Sequence, residues 1–409
     1  MHILFLTDNF PPEGNAPATR TYEHAREWVK LGHAVTVITC APNFPEGVLF
    51  PGYKNKWYQR EVIDGIDVVR VKTYITVNEG FAKRILDYIS FGITGAIAGL
   101  FQKRPDVIAS TSPQFFCACG GWVLSVLRWK PWIFELRDIW PASITAVGAM
   151  ETNTFIKLLE KLELFLYRRA DRIVSVTNSF KTELVERGID GSKIDVVVNG
   201  VDLSQYQPAT EKDQALSAQY NLQGKFVVAY IGTHGMAHAL DKVLDAAAML
   251  EDEKDICFLF AGGGAARAEL EASIARRGLS NIALIPRQPK EMMPALWSLC
   301  DISLISLRDT PLFEQVIPSK IFESMGMGLP MIISCPEGEA TGIIRETKSG
   351  VVVRPEAPEE LARSVRELYL DRERLAELAR ASGDSAELFD RARQAKLMID
   401  SFKEARAQV

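Results

Sequence analysis

The chain has 409 residues, more than one hydrophobic core usually serves, so its length predicts two domains. Hydrophobic residues make up 47% and charged residues 24%, which is typical of a soluble globular protein. A formal net charge of -5, with no long acidic or basic tail, argues against a general nucleic-acid-binding protein.

The first half of the sequence alternates apolar runs of strand length with amphipathic segments of helix length. Strands are predicted at 2–7, 33–39, 66–71 and 107–110, and a helix at 18–31. Such alternation predicts a parallel sheet covered by helices. Ligands of these sheets bind beyond the carboxyl ends of the strands, so the loops that follow the strands are the candidate binding segments.

A second series of predicted strands and helices begins after residue 208. The strands are expected at 226–231, 256–261, 283–285, 302–305 and 331–334, and the helices at 239–250, 266–276, 294–299 and 319–327. Two consecutive open α/β domains explain this pattern better than one barrel. The link is expected near 199–202, and a charged helix from about residue 385 follows the second series.

The six cysteines mostly lie in apolar runs, which is typical of buried free thiols in a reducing compartment. Cys117 and Cys119 lack the two-residue gap that metal and redox pairs favour. The N-terminal segment has no basic region and its apolar run is too short for an export signal. We therefore expect a cytoplasmic protein.

The segment 315–330, with the sequence QVIPSKIFESMGMGLP, is the most informative stretch of the chain. Pro318 and Ser319 mark a helix start, with Lys320 in its first turn. Unpaired N–H groups, the positive end of the helix dipole and an ammonium group together suit a phosphate or diphosphate. Glu323 can accept hydrogen bonds from a ribose diol. A capped surface helix without a ligand is the alternative interpretation.

Neither domain carries the glycine pattern of a dinucleotide-binding turn. In the first domain, the first predicted strand is followed by NFPPEGNA at 9–16. In the second domain, the first predicted strand is followed by GTHG at 232–235. A Gly-x-Gly-x-x-Gly sequence is absent from both positions, which argues against a nicotinamide-dependent dehydrogenase.

Six motifs occur along the chain: NFPPE at 9–13, GHAVTV at 32–37, PDVI at 105–108, RDIWP at 137–141, NGVD at 199–202 and PSKIFE at 318–323. With these motifs in this order, the chain resembles the retaining GT-B glycosyltransferases of family 4 nearly end to end. The closest resemblance is to bacterial members that build surface polysaccharides and act on N-acetylated amino or deoxy sugars. It implies two Rossmann-like, doubly wound domains facing a cleft, with a C-terminal helix returning to the first domain.

The resemblance also assigns roles to the two domains. Residues 1–205, with the terminal helix at 385–409, are expected to bind the acceptor, and residues 206–384 the nucleotide sugar. The implied donor-binding residues are Gly14, Asn15, Gly232, Thr233, His234, His238, Arg287, Gln315, Pro318, Ser319, Lys320 and Glu323. Asp138, Lys320 and Glu323 are the residues expected to act in catalysis. No Asp-x-Asp pair occurs, so no metal is implied, and no cofactor is expected.

Two positions depart from the family pattern. Gln315 occupies the place of a glutamate that contacts the donor sugar, and Glu314 is a possible substitute. Thr233 occupies the place of an arginine that grips the diphosphate. His234 and His238 are the nearest replacements, although histidines at helix ends and surfaces often have no such role.

On the acceptor side we expect Glu13, Arg137 and Asp138. Asp138 is a candidate to orient or deprotonate the acceptor hydroxyl, and a structural Arg-Asp pair is the alternative. The loop that begins at Glu13 has small residues that let backbone N–H groups approach a phosphate. A plain strand-to-helix turn with Asn15 as the helix cap is the alternative for that loop.

Residues 88–101 contain no charge and are flanked by Lys83, Arg84, Lys103 and Arg104. The segment is too short to span a bilayer, but a helix of this kind can lie in the membrane interface with its basic ends toward anionic lipid. A buried core helix is the favoured alternative. The interfacial interpretation predicts peripheral contact with the inner face of the plasma membrane and a lipid-linked acceptor.

Together these features predict a retaining, metal-independent hexosyltransferase that moves an N-acetylated amino or deoxy sugar from a UDP-sugar. The acceptor would be a polyprenyl-diphosphate-linked saccharide in O-antigen or capsule synthesis, and no nucleic acid is involved. A UDP-sugar 2-epimerase on the same fold and a non-catalytic nucleotide-sugar-binding partner are the alternatives. Acceptor-dependent UDP release, acceptor-free epimerisation and binding alone distinguish the three.

Overall fold

The computed structural model describes residues 1–44, 46–76, 81–112, 114–141 and 154–407. The chain forms two compact units. The first consists of Met1–Val198 and Arg391–Val409, and the second of Asn199–Asp390. Each unit is a parallel α/β sheet with helices packed on it, as the sequence predicts.

The first unit contains an eight-stranded sheet in the order β3-β4-β2-β1-β5-β6-β7-β8. Its strands are β1 (His2–Leu6), β2 (Ala34–Cys40), β3 (Tyr58–Ile63), β4 (Ile66–Val71), β5 (Val107–Thr111), β6 (Trp132–Leu136), β7 (Arg172–Ser175) and β8 (Ile194–Val196). The helices between them are α1 (Ala16–Lys30), α2 (Phe81–Leu100), α3 (Phe115–Arg128), α4 (Thr154–Arg169) and α5 (Asn178–Glu186).

Strand β1 shows why this sheet is doubly wound. Leu4 and Leu6 belong to one hydrophobic core and Ile3 and Phe5 to another, because successive side chains of a strand point to opposite faces. Both faces of the sheet are therefore covered by helices. For this reason a strand such as β1 consists of a continuous run of apolar residues. Edge strand β3 is a correction to the predicted all-parallel sheet, since it pairs with β4 in the antiparallel direction.

The second unit contains a six-stranded sheet in the order β11-β10-β9-β12-β13-β14, and every strand pair in it is parallel. The strands are β9 (Phe226–Ile231), β10 (Ile256–Ala261), β11 (Ile282–Ile285), β12 (Ile302–Ser306), β13 (Met331–Ser334) and β14 (Gly350–Val353). The helices are α6 (Gln214–Gln219), α7 (Leu240–Ala248), α8 (Arg267–Arg277), α9 (Met293–Ser298), α10 (Lys320–Gly326), α11 (Glu339–Thr347), α12 (Pro358–Leu370) and α13 (Arg372–Ser385).

The last helix, α14 (Arg391–Ala407), belongs to the first unit although it follows the second in sequence. Its Arg391 forms a buried ion pair of 2.8 Å with Glu23. The Trp28 indole donates a hydrogen bond to the Ala395 carbonyl and meets the Phe402 ring edge-on at 5.2 Å. A helix was predicted from about residue 385, but α13 ends there and a 3-10 turn at Ala386–Phe389 separates it from α14.

Candidate functional site

Lys320 lies at the start of α10, close to the carboxyl end of β9. Its Nζ sits 3.4 Å from the centroid of the Tyr230 ring, within cation–π distance. Its aliphatic chain passes over Gly232, where a Cβ would come within 2.7 Å of the Lys320 Cε. Burial lowers the pKa of Lys320 to about 7, and the nearby Glu323 carboxylate acts in the opposite direction. This amine is therefore only partly charged at neutral pH.

Two glycines join the loops that follow β9 and β10. Gly232 and Gly262 have φ angles of +142° and +141°, a region that only glycine adopts readily. A Cβ on Gly262 would lie 1.9 Å from the Gly232 carbonyl oxygen. The two loops can pack this closely only because Gly262 carries no side chain.

His234 lies beneath these loops with no exposed surface. Its ring is 5.9 Å from Tyr230 and 6.5 Å from Phe260, and neither ring nitrogen has a hydrogen-bond partner among the described residues. Burial lowers its pKa to about 4, and the positive charges of Arg267 and Lys320 act in the same direction. The imidazole is therefore neutral at pH 7.

His238 lies near the same aromatic ring. Its ring centroid is 5.7 Å from that of Tyr230, and its Nδ1 is 3.3 Å from the Ser306 carbonyl oxygen. Burial, followed by the charge of Lys320, lowers its pKa to about 4. Three basic side chains thus surround one tyrosine ring, and all three are kept wholly or partly neutral.

The other predicted donor residues of this unit lie around that group. Thr233 is exposed, and its carbonyl accepts a hydrogen bond from the Tyr230 hydroxyl. Arg287 is exposed in the loop after β11, beside the backbone of Gly263. The remaining predicted donor residues lie close together in sequence. Gln315 ends a 3-10 turn, Pro318 and Ser319 directly precede α10, and Glu323 lies within it.

Ser319 does not cap α10 with its side chain, so its hydroxyl faces solvent. The helix itself has only seven residues, which limits the contribution of its dipole. Binding of an anion at this end of the sheet would therefore depend mainly on the basic side chains.

In the first unit, the predicted loop after β1 is held by internal hydrogen bonds. Asn15 caps α1 by accepting a bond of 3.0 Å from the Ala18 amide, and its Nδ2 donates to the Asn9 oxygen at 2.6 Å. Gly14 has open space where a Cβ would be. One Glu13 oxygen accepts from the amides of Asn43 and Phe44 at 2.8 and 2.9 Å.

Glu13 belongs to a group of carboxyls with raised pKa values. Burial raises the pKa of Glu13 to about 7, and its second oxygen has no partner among the described residues. Burial likewise raises the pKa of Asp8 to about 6 and that of Asp87, on α2, to about 8. The charges of Asp8 and Glu13 raise that of Asp87 further.

Arg137 and Asp138 follow β6, and the Ser112 hydroxyl contacts both backbones. The Arg137 amide donates to the Ser112 oxygen at 2.8 Å, and its guanidinium donates to the Pro17 carbonyl at 3.2 Å. Burial lowers the pKa of Arg137 to about 10, although the Glu135 carboxylate opposes this. Asp138 is half-buried in the loop after β6. Glu13 lies in the loop after β1, so both residues follow carboxyl ends of strands in the first sheet.

The sequence interpretation missed several residues of these strand ends. Tyr230 lies within an apolar strand run, where nothing distinguishes it from a core residue. The three consecutive glycines at 262–264 follow a predicted strand, and that signal could have marked the second loop. Asp8 lies two residues after the end of β1, whereas Asp87 lies within helix α2 and has no local sequence pattern that marks it. Within the described residues, no cluster of three or more His, Cys, Asp or Glu side chains could hold a metal ion.

Two family models match consecutive parts of the chain. Residues 17–205 match the model described as Glycosyltransferase Family 4, and residues 212–384 match Glycosyl transferases group 1. The chain is 27% identical over 380 residues to a putative colanic acid biosynthesis glycosyl transferase, WcaI, of Escherichia coli K12. That match covers 90% of this chain and 92% of the relative.

Solved structures show the same fold at low sequence identity. Sucrose-phosphate synthase from Thermosynechococcus elongatus has a TM-score of 0.80 at 15% identity, over 100% of both chains. Anabaena HepE, in complex with UDP-glucose, has a TM-score of 0.71 at 16% identity, over 98% of this chain and 99% of that one. The chain therefore belongs to the glycosyltransferases of family 4 and adopts the GT-B fold.

Proposed function

We propose that the second unit binds a UDP-sugar and that the enzyme transfers the sugar with retention of configuration and without a metal. The carrying observation is the group formed by Lys320, His234 and His238 around the Tyr230 ring. Anion binding suits such a group, because a diphosphate compensates basic side chains that burial keeps from charging. UDP and UDP-glucose complexes of Anabaena HepE, which shares this fold, support the choice of donor.

Negative charge develops on the departing diphosphate in the transition state, while positive charge develops on the anomeric carbon. Lys320 would stabilise the leaving group through electrostatic preorganisation, and Glu323 would hold the ribose hydroxyls. In the first unit, Asp138 would orient the acceptor hydroxyl, with Arg137 and Glu13 shaping the acceptor side. Unlike the carboxylate pair of retaining glycosidases, this mechanism assigns no nucleophile to the protein.

The acceptor we propose is a polyprenyl-diphosphate-linked saccharide of surface polysaccharide synthesis, and the donated sugar an N-acetylated amino or deoxy sugar. The printed function of the Escherichia coli relative, colanic acid biosynthesis, supports this class of pathway. No helix among the described residues is long and apolar enough to cross a membrane. An acceptor of this kind would be reached through surface contact with the bilayer.

Helices α2 and α3 offer an apolar surface for that contact. They pack closely, since a Cβ on Gly92 would lie 2.4 Å from the Phe116 carbonyl oxygen. The outer faces form what we term the apolar surface, with exposed fractions of 56% for Ile93, 52% for Ile97, 80% for Phe101, 56% for Val126, 57% for Leu127 and 84% for Trp129. The opposite face of α2 is buried, for example at Phe91, as the core-helix interpretation of residues 88–101 predicts. The membrane interpretation of the exposed face stays a proposal.

Basic residues adjoin the apolar surface, since the exposed Lys103 and Arg104 lie two and three residues after Phe101. This combination suits an anionic bilayer, into whose interface aromatic and aliphatic side chains insert while cations meet the headgroups. Flotation with phosphatidylglycerol vesicles tests the contact. The double variant Phe101→Ser, Trp129→Ser should lose vesicle binding, whereas Leu370→Ser, at a 71% exposed position of the second unit, should retain it.

Thermal-shift measurements with UDP, GDP, ADP, CMP and NAD test the donor site, because a ligand that prefers the native state raises its stability. A selective UDP shift is expected in the wild type and in Glu346→Ala, an exposed change on α11, but not in Glu323→Ala. No shift with any nucleotide would contradict the proposal. Product analysis with and without lipid-linked saccharides then separates transfer from epimerisation and from binding alone.

A further inference from the structure

We propose that His238 takes up a proton when the donor diphosphate binds and then donates a hydrogen bond to it. Nucleotide-sugar binding would thereby be coupled to proton uptake from solution. This inference rests on the proposed donor site. It adds a titrating ligand five residues after Thr233, the residue that occupies the place of the expected arginine.

The tautomer of His238 carries the argument. The Ser306 carbonyl oxygen can only accept a hydrogen bond, so the Nδ1 atom 3.3 Å away must carry a hydrogen. In the neutral imidazole the lone pair is then on Nε2. An unprotonated Nε2 repels a phosphate oxygen, since both atoms are acceptors. A diphosphate can gain a hydrogen bond there only if Nε2 first binds a proton.

The position of Nε2 fits this role. It has no hydrogen bond among the described residues, and the ring edge that bears it faces Gly235. A Cβ on Gly235 would lie 3.6 Å from the His238 Cδ2 and 4.0 Å from Nε2. His238 and the Lys320 amine adjoin the same Tyr230 ring, at 5.7 and 3.4 Å from its centroid. The Lys320 charge also acts directly on the His238 imidazole, so a diphosphate held by Lys320 would lie close to that ring.

Charges around His238 disfavour its protonation in the free enzyme. Burial and the Lys320 charge hold its pKa near 4. The other titratable or charged groups nearby are His234 and Tyr230 from β9 and its loop, Glu323 from α10, Arg267 from α8 and Arg308 after β12. The carboxylates of Asp241 and Glu356 are both paired with the Arg308 guanidinium. A bound diphosphate would therefore bring a new negative charge to His238.

A bound diphosphate reverses this balance, because an adjacent anion favours the protonated imidazole. The proton moves from buffer to the Nε2 lone pair, and no other bond changes. Affinity for the nucleotide sugar should therefore rise as pH falls through the pKa that His238 has in the complex, and the gain is complete below the free-state value near 4.

Isothermal titration calorimetry at pH 6 in buffers of different ionisation enthalpy measures the coupling. The probes are UDP-glucose and UDP-N-acetylglucosamine, whose diphosphates carry no proton that titrates near this pH. Lys320, with a pKa of about 7, is already mostly protonated at pH 6, so it adds little to the uptake. We expect about half a proton to be taken up per nucleotide sugar bound by the wild type, because an adjacent opposite charge changes a pKa by about 1–3.

Two variants separate the roles of the ring nitrogens. His238→Gln places an amide N–H near the position of Nε2 and should bind at pH 6 with about half a proton less uptake and a flatter pH dependence. His238→Asn reaches only the position of Nδ1 and should lose about tenfold in affinity at pH 6. Calorimetry of each variant therefore reports a change in linkage as well as in strength.

Equal proton uptake by the wild type and His238→Gln would overturn the inference and place the proton elsewhere, for example on His234. Wild-type binding without uptake would overturn it too, while leaving the donor site intact. Failure of the wild type to bind either nucleotide sugar, or UDP in the thermal-shift test, would overturn the donor site itself and this inference with it.

Discussion

The carboxyl ends of the two sheets carry buried ionisable groups of opposite kind. In the first unit, Asp8, Glu13 and Asp87 are carboxyls with pKa values raised to about 6, 7 and 8. In the second, His234, His238 and Lys320 are bases with pKa values lowered to about 4, 4 and 7. Burial is the first cause in every case, and it disfavours charge at both ends.

The same architecture thus offers two different candidate binding surfaces. Bases held neutral would become charged when an anion arrives, whereas a carboxyl that stays protonated would both donate hydrogen bonds to sugar hydroxyls and accept them. The sheet topology determines where each group lies, and the residue type at each position determines whether the group is an acid or a base. This is the sense in which function belongs to sites on a fold rather than to the fold.

The largest expected effect comes from removing the base nearest Tyr230. Lys320→Met keeps the aliphatic chain but loses the amine, so transfer should fall by about 10²–10³-fold through lost stabilisation of the leaving group. Thermal stability should not fall, since the variant no longer buries an amine. Steady-state assays and melting curves measure both, with Lys396→Met on the exposed face of α14 as the control. A variant that transfers normally would contradict the proposed role.

The next effect tests the loop packing on which the second binding surface depends. Gly262→Ala should destabilise the second unit by about 2 kcal/mol or more, because its Cβ would collide with the Gly232 carbonyl and φ is +141°. Gly342→Ala, in open space within α11, should instead stabilise it by about 0.5–1 kcal/mol. Hydrogen exchange of peptides from this unit reports both changes, and equal effects would contradict the argument.

The carboxyls of the first unit predict a pH effect of known sign. Their folded pKa values are above those of unfolded chains, about 4, so the folded state retains protons that the unfolded state releases. Stability should be greatest below pH 4 to 5 for these groups and fall as pH rises toward 8. Glu13→Gln should remove about 1–3 kcal/mol of this loss.

Urea denaturation at pH 5 and pH 8 measures that loss. Tryptophan fluorescence reports mainly on the first unit, since every tryptophan except Trp297 lies there. Glu346→Gln, at an exposed position in α11, should keep the wild-type slope. A Glu13→Gln protein with an unchanged pH dependence would show that the Glu13 carboxyl is not the group responsible.

The smallest effects compare the two helix starts that follow these strand ends. Asn15→Ala should cost about 1 kcal/mol of stability, because Asn15 caps α1. Ser319 makes no cap bond, so Ser319→Ala should change stability by less than about 0.5 kcal/mol. Its hydroxyl is instead free to meet a ligand, and UDP affinity should fall about threefold to tenfold. Denaturation measures the stability of each variant, and calorimetry measures its UDP affinity. A stability loss in Ser319→Ala without one in Asn15→Ala would contradict these roles.

Much of the fold could be predicted because buried parallel strands are short apolar runs between helices. Strands β9, β10 and β13 have the predicted bounds. Edge strand β3 was missed because its residues alternate between half-buried and exposed and include charged side chains. The sequence predicts the start of the terminal helix too early, at the end of α13. Helices α13 and α14 are both rich in charged residues, and the 3-10 turn between them has no proline to mark the boundary.

The site was predictable only where a loop motif signals it. The helix start at Pro318–Lys320 is visible in the sequence, and the structure adds that Lys320 lies against Tyr230 and Gly232. Contacts of that kind join residues about 90 positions apart, and no local pattern encodes them. The pKa values follow from burial, which also depends on the complete fold.

The return of α14 to the first unit has a consequence for biosynthesis and for dissecting the enzyme. The ribosome completes the whole second unit before it makes the helix that covers Trp28 and pairs with Glu23. The first unit must therefore wait for that helix with part of its core uncovered. A fragment ending at residue 198 should be poorly soluble, and supplying 391–409 as a separate peptide should restore its fold. The two halves of this enzyme are separable as compact bodies but not as consecutive lengths of chain.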